Sequence, residues 1–186
     1  MSSKTITRKN GLDLEALGQL VEEIKKDAAK GFARFKVASS WKGQTRSEAH
    51  VESYVINGKE IPRRFSIVAD EPAELLGQNS APNPQELLMA AFNACLMVGY
   101  VATSAVMGIN LESVEIETEG ELDLRGFLGI DENVKPGYDS IQYTVRLKGD
   151  GSAEQFEAVH QNVLKTSPNY FNIAQPIAVK AKLVVG

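Results

Sequence analysis

The chain has 186 residues, of which 43% are hydrophobic and 24% charged, and its formal net charge is −4 at pH 7. This composition is typical of one soluble globular domain, or of one domain with a short appendage, and the chain is long enough to bury a core. The mild acidic charge argues against a nucleic-acid or anionic-membrane partner, and the single cysteine excludes an intramolecular disulfide and favours a reducing cytoplasm.

The first half of the chain predicts a helix followed by an antiparallel meander. The segment Met1–Asn10 is polar and lacks the apolar run of a signal peptide. Apolar residues at helical spacing among many Glu and Lys predict an amphipathic surface helix over Gly11–Lys30. Strand-like runs follow, and the dipeptide Asn57-Gly58 between the last two suits a type I′ hairpin turn. These runs are Phe32–Ser39, Ser47–Ile56 and Ile61–Ala69.

A long apolar helix is predicted after a loop rich in Pro, Gly, Asn and Ser that spans Asp70–Pro84. Asn83 suits the N-cap of this helix, and its end is predicted near Met107. The run Leu87–Leu111 contains no charged residue and is long enough to span a bilayer, but it has internal polar residues and no basic anchors at its ends. We therefore predict a helix of a soluble core, buried on nearly all sides.

The remaining chain predicts two more strands, a helix and a last strand. Alternating residues indicate half-exposed strands at Leu111–Leu124 and Ser140–Lys148. Ser152–Thr166 has the apolar spacing of a helix that ends at Ser167-Pro168, and Ile177–Val185 is predicted as the final strand. The order α-βββ-α-ββ-α-β indicates an α+β fold.

The long helix carries the most informative motif. Its first residues, Asn83 to Leu96, read NPQELLMAAFNACL, and Phe65–Pro72 precedes them. Together with Gly108–Leu111, these segments resemble the cysteine-helix signature of the OsmC (osmotically inducible protein C) family, which includes the organic hydroperoxide resistance proteins. The likeness covers roughly residues 32–185. We therefore expect an OsmC-like domain over residues 32–186 and an N-terminal helical extension over 1–31, similar to a longer branch of the family.

The resemblance implies an intertwined homodimer in which antiparallel sheets surround the buried cysteine helices, with two reactive sites at the subunit interface. It also implies thiol-dependent reduction of small hydrophobic hydroperoxides in oxidative and osmotic stress defence. The Cys95 thiolate would attack a peroxide oxygen and become a sulfenic acid. No cofactor, metal, nucleic acid or membrane is expected to take part.

Two departures from the family pattern bear on this chemistry. Peroxidase members carry a second cysteine before the proline that ends the later helix, where this chain has Ser167-Pro168, so an external thiol would have to reduce oxidised Cys95. Hydroperoxide resistance proteins place a glutamate directly after the proline of the cysteine helix, where this chain has Gln85 followed by Glu86. Glu86 is a candidate catalytic carboxylate, but it projects about 180° away from Cys95 and suits a capping box.

The activating cation that the resemblance implies comes from an early strand near a Gly-rich turn. Arg46, at the end of the run Trp41–Arg46, is the candidate, and Lys42, Arg63 and Arg64 are alternatives. The spacing of Arg46 differs from the family pattern, which is a third departure. A guanidinium suits this role because it stays charged and can donate hydrogen bonds to both thiolate and peroxide.

Two other interpretations of Cys95 stay open. A lone cysteine in an Ala-rich helix often serves as a small hydrophobe, and its mid-helix position removes it from the helix N-terminus. Gly99, one turn later, predicts open space beside the sulfur. The chain could therefore be a catalytically silent dimer that binds a small apolar or thiol ligand at its interface, or a structural dimer with a sealed Cys95. His50 and His160 have no metal-ligand spacing, so no zinc site is expected.

Overall fold

The computed structural model describes residues 8–186 and forms two compact units, one ending at Ala90 and the other spanning Ala91–Gly186. The prediction for Met1–Asn10 falls largely on residues 1–7, which lie outside the described residues. The predicted α+β class is confirmed. The helices are α1 (Leu14–Lys26), α2 (Pro84–Val106), α3 (Leu124–Phe127), α4 (Ala153–Thr166) and α5 (Pro168–Ala174). The strands are β1 (Arg8–Lys9), β2 (Leu12–Asp13), β3 (Ala33–Phe35), β4 (Ala38–Trp41), β5 (Ser47–Ile56), β6 (Lys59–Ala69), β7 (Leu111–Gly120) and β8 (Ile141–Gly149).

The predicted helix Gly11–Lys30 is shorter in the structure. A small hairpin of β1 and β2 takes up its start, and the side chain of Asp13 caps α1 by accepting the Ala16 N–H at 2.9 Å. The predicted end is a separate 3-10 turn, Ala28–Gly31. The hairpin was not predicted because two-residue strands carry no hydrophobic period.

The sheet of the first unit is organised around β5. β6 pairs along β5, and the turn between them places Asn57 and Gly58 at φ 52° and 70°, which confirms the predicted left-handed turn. β3 and β4 pair with opposite ends of β5, so the predicted strand Phe32–Ser39 is in fact two short strands. Among the described residues up to Ala90, Val51 is the one buried apolar side chain.

The second unit has a continuous core. Phe92, Leu96 and Tyr100 share one face of α2, because they are four residues apart, and they pack with buried α4 residues Val159 and Val163. The β7–β8 hairpin covers this cluster with its inward face, as the alternating pattern predicts. The residues of that face are Val114, Ile116, Tyr143, Val145 and Leu147.

Within residues 91–186, the predicted burial of α2 on nearly all sides is met on one face only. α2 is the one described helix long and apolar enough to span a bilayer, yet its inner face packs as a core helix. Its other face is open, and Val98 and Val106 are 69% and 65% exposed. Within residues 91–186, nothing covers this apolar face.

The chain after α4 also differs from the prediction. Ser167-Pro168 ends α4, as predicted, and also begins α5, with Ser167 as N-cap and Pro168 in the first turn. The predicted strand Ile177–Val185 has no regular secondary structure, and Val179 and Leu183 are 88% and 86% exposed. A strand needs a hydrogen-bonded neighbour, and this segment has none within the described chain. The predicted strand Leu111–Leu124 likewise ends early, at Gly120.

Candidate functional site

Cys95 lies on α2 at the border between its buried and its open face. It is a free cysteine and is partly exposed, so the core of residues 91–186 does not seal it. The neighbouring Leu96 is fully buried, whereas Ala94 and Val98 are exposed. The sulfur is therefore held against a packed core while one side of the helix stays accessible.

The hydroxyl of Ser167 is the hydrogen-bonding partner of Cys95 among residues 91–186. Ser167 Oγ lies 3.4 Å from Cys95 Sγ, and Ser167 itself is 5% exposed. The Tyr170 N–H donates to Ser167 Oγ at 3.3 Å, and the Ser167 N–H donates to the Val163 carbonyl at 2.9 Å. The corner between α4 and α5 thus presents one fixed hydroxyl to the sulfur.

Two asparagines hold the surroundings of Cys95 to neighbouring elements. Asn93 Oδ1 accepts the Thr118 hydroxyl at 2.5 Å, which ties α2 to β7. Asn169 Nδ2 donates to the Ala91 carbonyl at 2.8 Å, which ties α5 to α2. Neither contact could be predicted from the sequence, because an asparagine in a helix carries no signal for a partner far along the chain.

The predicted open space at Gly99 is wrong. A Cβ built on Gly99 would lie 3.1 Å and 3.2 Å from the two γ-methyl groups of Val163. Val163 is fully buried, so the missing side chain of Gly99 lets α4 pack closely on α2. Gly99 therefore serves helix packing and leaves no cavity for a substrate.

Glu86 is placed where the capping prediction put it. The Asn83 N–H donates to Glu86 Oε2 and the Glu86 N–H donates to Asn83 Oδ1, both at 2.8 Å. This reciprocal pair is a complete capping box at the start of α2. The carboxylate is therefore engaged at the N-terminus of the cysteine helix, nine residues before Cys95 in the sequence.

Arg46 lies in the first unit, at the end of a tight turn that precedes β5. The Arg46 N–H donates to the Gly43 carbonyl at 2.9 Å, and the Lys42 N–H donates to the Arg46 carbonyl at 2.8 Å. Trp41 Nε1 closes the same turn by donating to the Gln44 carbonyl at 2.8 Å. Within the described part of its unit, the Arg46 guanidinium has no hydrogen bond or ion pair.

The alternative cations differ in this respect. Lys42 Nζ lies 3.7 Å from Glu48 Oε2. The Arg63 guanidinium lies over the rings of Tyr54 and Phe65, at 5.0 Å and 5.6 Å from their centroids. Both groups therefore have partners within their own unit. The Arg64 guanidinium, like that of Arg46, has no hydrogen bond or ion pair within the described part of that unit.

A buried carboxylate that the sequence did not predict anchors the Arg46 turn. Asp70 is 1% exposed, and its oxygens accept the hydroxyls of Ser80 and Thr45, both at 2.7 Å. It also accepts the N–H groups of Glu71, Gln78 and Ser80 at 2.9, 3.2 and 3.1 Å. These hydrogen bonds, first those from Ser80 and Thr45, hold the pKa of Asp70 well below its usual range. Asp70 thereby ties the Arg46 turn to the loop that leads into α2.

His160 has a structural partner. Its Nδ1 lies 2.5 Å from the Tyr100 hydroxyl, and the two rings stack at an interplanar angle of 13°. Burial, followed by the charges of Tyr143 and Glu157, raises the pKa of Tyr100 above its usual value. The phenol therefore stays protonated and can donate a hydrogen bond to the imidazole. Among residues 8–186, no group of three His, Cys, Asp or Glu side chains is arranged to hold a metal ion.

Comparison with known proteins agrees with the resemblance. The profile of the family described as OsmC-like protein matches residues 77–182, a range that includes Cys95 and Ser167. The fold is similar to the OsmC-like protein from Mycoplasma pneumoniae, with a TM-score of 0.60 and 13% identity over 76% of this chain and 87% of that one. An OsmC-like protein of unknown function from Vibrio cholerae has a TM-score of 0.51 and 15% identity over 74% and 91% of the two chains. No curated protein sequence matches significantly.

Proposed function

The chain belongs to the OsmC-like protein family, and from this premise we propose that it is a cysteine-dependent, peroxidase-like protein that reduces organic hydroperoxides in stress defence. The observation that carries the proposal is the partly exposed sulfur of Cys95, which lies within the matched region and against the fixed hydroxyl of Ser167. The resemblance of the Asn83–Leu96 motif to a family that includes hydroperoxide resistance proteins supplies the substrate class.

The proposed chemistry begins with the Cys95 thiolate. Its sulfur attacks one peroxide oxygen, a sulfur–oxygen bond forms, and the oxygen–oxygen bond breaks. The departing alkoxide takes up a proton and leaves as an alcohol, and Cys95 becomes a sulfenic acid. The sulfur is oxidised by two electrons, and the peroxide is reduced by the same two.

The second half of the cycle requires an external thiol, because the chain has no other cysteine. This thiol condenses with the sulfenic acid, releases water and forms a mixed disulfide. A second thiol attacks the mixed disulfide, regenerates the Cys95 thiol and leaves as a small disulfide. A small dithiol would complete both steps.

Arg46 is the cation that we assign to this site. Its guanidinium has no competing partner within its described unit, and the Asp70 network fixes the turn that carries it. A guanidinium can stabilise both the thiolate and the leaving oxygen through charge-assisted hydrogen bonds. The cation can come from the same chain or from a partner chain.

A homodimer is part of the proposal. The outer face of α2 presents a row of small and apolar side chains, Ala91, Ala94 and Val98, that residues 91–186 leave exposed. A continuous apolar stripe of this kind is typical of an interface.

The proposal also includes the division of the chain. The OsmC-like domain is assigned to residues 32–186, and residues 1–31 are assigned to an N-terminal extension.

A second candidate function is supported by one observation. The partner of Cys95 within residues 91–186 is a neutral hydroxyl, not a cation. This arrangement also suits a catalytically silent dimer that holds a small apolar or thiol-bearing ligand. Such a protein would keep its ligand affinity after Cys95→Ser, whereas a peroxidase would lose its activity.

The test is consumption of cumene hydroperoxide by the purified protein in the presence of dithiothreitol. We expect turnover by the natural chain and none by Cys95→Ser. Ser104→Ala is the matched control, because Ser104 is a buried α2 residue outside the proposed site. Equal consumption by the natural chain and by Cys95→Ser would contradict the proposal.

A further inference from the structure

The corner between α4 and α5 holds a residue whose role the peroxidase proposal does not assign. Ser167 is 5% exposed, and its hydroxyl has two partners in the structure, the Tyr170 N–H at 3.3 Å and Cys95 Sγ at 3.4 Å. Ser167 lies 72 positions after Cys95. A buried hydroxyl within hydrogen-bond distance of the Cys95 sulfur can affect the reactivity of that sulfur.

The direction of the two hydrogen bonds at Ser167 Oγ follows from the backbone donor and from the charge state of the sulfur. A backbone N–H can only donate, so Ser167 Oγ accepts from Tyr170. A thiolate has no proton to donate, so the hydroxyl is the donor to Sγ whenever Cys95 is ionised. A donated hydrogen bond stabilises negative charge on sulfur and also holds the side chain in one rotamer.

The corner is rigid enough to keep this geometry. The Phe171 N–H donates to the Ser167 carbonyl at 3.1 Å, and Pro168 fixes the backbone in the first turn of α5. Asn169 Nδ2 donates to the Ala91 carbonyl at 2.8 Å, one helical turn before Cys95. The corner that carries the hydroxyl is thus held both to α5 and to α2.

We propose that Ser167 is a positioning residue that donates a hydrogen bond to Cys95 Sγ, and that it leaves the oxidised sulfur to a small external thiol. This inference rests on the proposed function. A hydroxyl can donate to the thiolate before attack and to the sulfenic oxygen after it, but it cannot form a disulfide. Sulfenic Cys95 therefore stays available for condensation with a small thiol, which releases water and forms a mixed disulfide.

The first test compares rates of Cys95 alkylation by iodoacetamide from neutral to alkaline pH. We expect Ser167→Ala to lower the rate at neutral pH roughly tenfold, because a hydrogen bond to a charged group is lost. Ser167→Thr, which keeps the hydroxyl, should restore the rate, and the control Ser104→Ala should leave it unchanged. A pH–rate profile of Ser167→Ala equal to that of the natural chain overturns the inference.

The second test does not depend on peroxide chemistry. Ser167→Cys places a second thiol where the hydroxyl lies, so the thiol oxidant diamide should join it to Cys95 within one chain. The expected result is the loss of both free thiols, with a mass decrease of two hydrogens and no cross-linked dimer. Two free thiols after diamide would show that the side chains do not meet, and would overturn the inference.

The two proposals can fail separately. If Cys95 in the natural chain does not react with cumene hydroperoxide, the proposed function fails, while alkylation and diamide still test the role of Ser167. If Ser167→Ala reacts with cumene hydroperoxide as fast as the natural chain, the role of Ser167 fails and the peroxidase proposal stands.

Discussion

Asn83 and Glu86 hydrogen-bond each other reciprocally at the start of the helix that carries Cys95. Each backbone N–H donates to the other residue's side chain at 2.8 Å. The pair satisfies two of the N–H groups that the first turn of a helix leaves without partners. The carboxylate of Glu86 therefore has a structural task that requires no catalytic role.

Replacing Glu86 separates these two roles. Glutamine also serves at this position of a capping box, so we expect Glu86→Gln to leave the rate of Cys95 oxidation unchanged. Glu86→Ala should lower the free energy of unfolding by about 1 kcal/mol, as measured by urea denaturation. A tenfold or greater loss of rate in Glu86→Gln at unchanged stability would show that the carboxylate takes part in the chemistry.

Two helix glycines should respond to alanine with opposite signs. Gly18 on α1 has open space where a Cβ would lie, so Gly18→Ala should raise the free energy of unfolding by about 0.5–1 kcal/mol. At Gly99 the Cβ would meet Val163, so Gly99→Ala should lower the free energy of unfolding by about 1–3 kcal/mol. Adding Val163→Ala should relieve the clash and make the two changes non-additive. Equal stabilisation by both alanines would contradict the packing role of Gly99.

The sequence predicted those elements whose cause is local. β5 and α2 follow their hydrophobic patterns and end residues closely, and the Asn57-Gly58 turn has the backbone that its residue types favour. The capping box was predicted for the same reason, since its partners are three residues apart. The short helix α5 had a local signal too, because serine followed by proline suits an N-cap and first turn.

The features that the sequence did not predict depend on partners far along the chain. The strand predicted at Ile177–Val185 has alternating residues but no neighbour to pair with, and alternation alone cannot supply one. The contact of Cys95 with Ser167 and the packing of Val163 on Gly99 join different helices. The resemblance to a family directed attention to Cys95, whereas its surroundings required the fold.

The Asp70 network predicts a dependence of stability on acid. Its hydrogen bonds lower the pKa of Asp70 in the folded chain below the value of about 3.9 that an unfolded chain has. The unfolded state therefore binds the proton more tightly, so this stabilisation is fully present above that value and is lost as pH falls below it. We expect the urea midpoint of Asp70→Asn to fall less between neutral and acidic pH than that of the natural chain.

Asp139→Asn is the control for this measurement, because Asp139 is an exposed carboxylate paired with Lys135. It should retain the acid sensitivity of the natural chain. An Asp70→Asn variant with the same acid-dependent loss as the natural chain would show that Asp70 is not the group responsible.

If the open face of α2 forms the dimer interface, a charge at Val98, which is 69% exposed, should prevent dimer formation. Light scattering should give the natural chain twice its mass of 20.2 kDa. Val98→Arg should give a monomer, because an unpaired charge in an apolar interface is costly. Glu154→Arg on the exposed side of α4 should remain dimeric. A natural chain that stays monomeric at high concentration would contradict the assembly.

Peroxide reduction by Cys95 is tested most directly by the accessibility of its sulfur to iodoacetamide before and after one equivalent of cumene hydroperoxide. We expect full labelling of the native chain, loss of labelling after peroxide, and recovery after dithiothreitol, with one sulfur oxidised per peroxide reduced. Cys95→Ser should show neither labelling nor peroxide loss. A native Cys95 that is labelled equally before and after peroxide, or labelled only after denaturation, would contradict the peroxidase account.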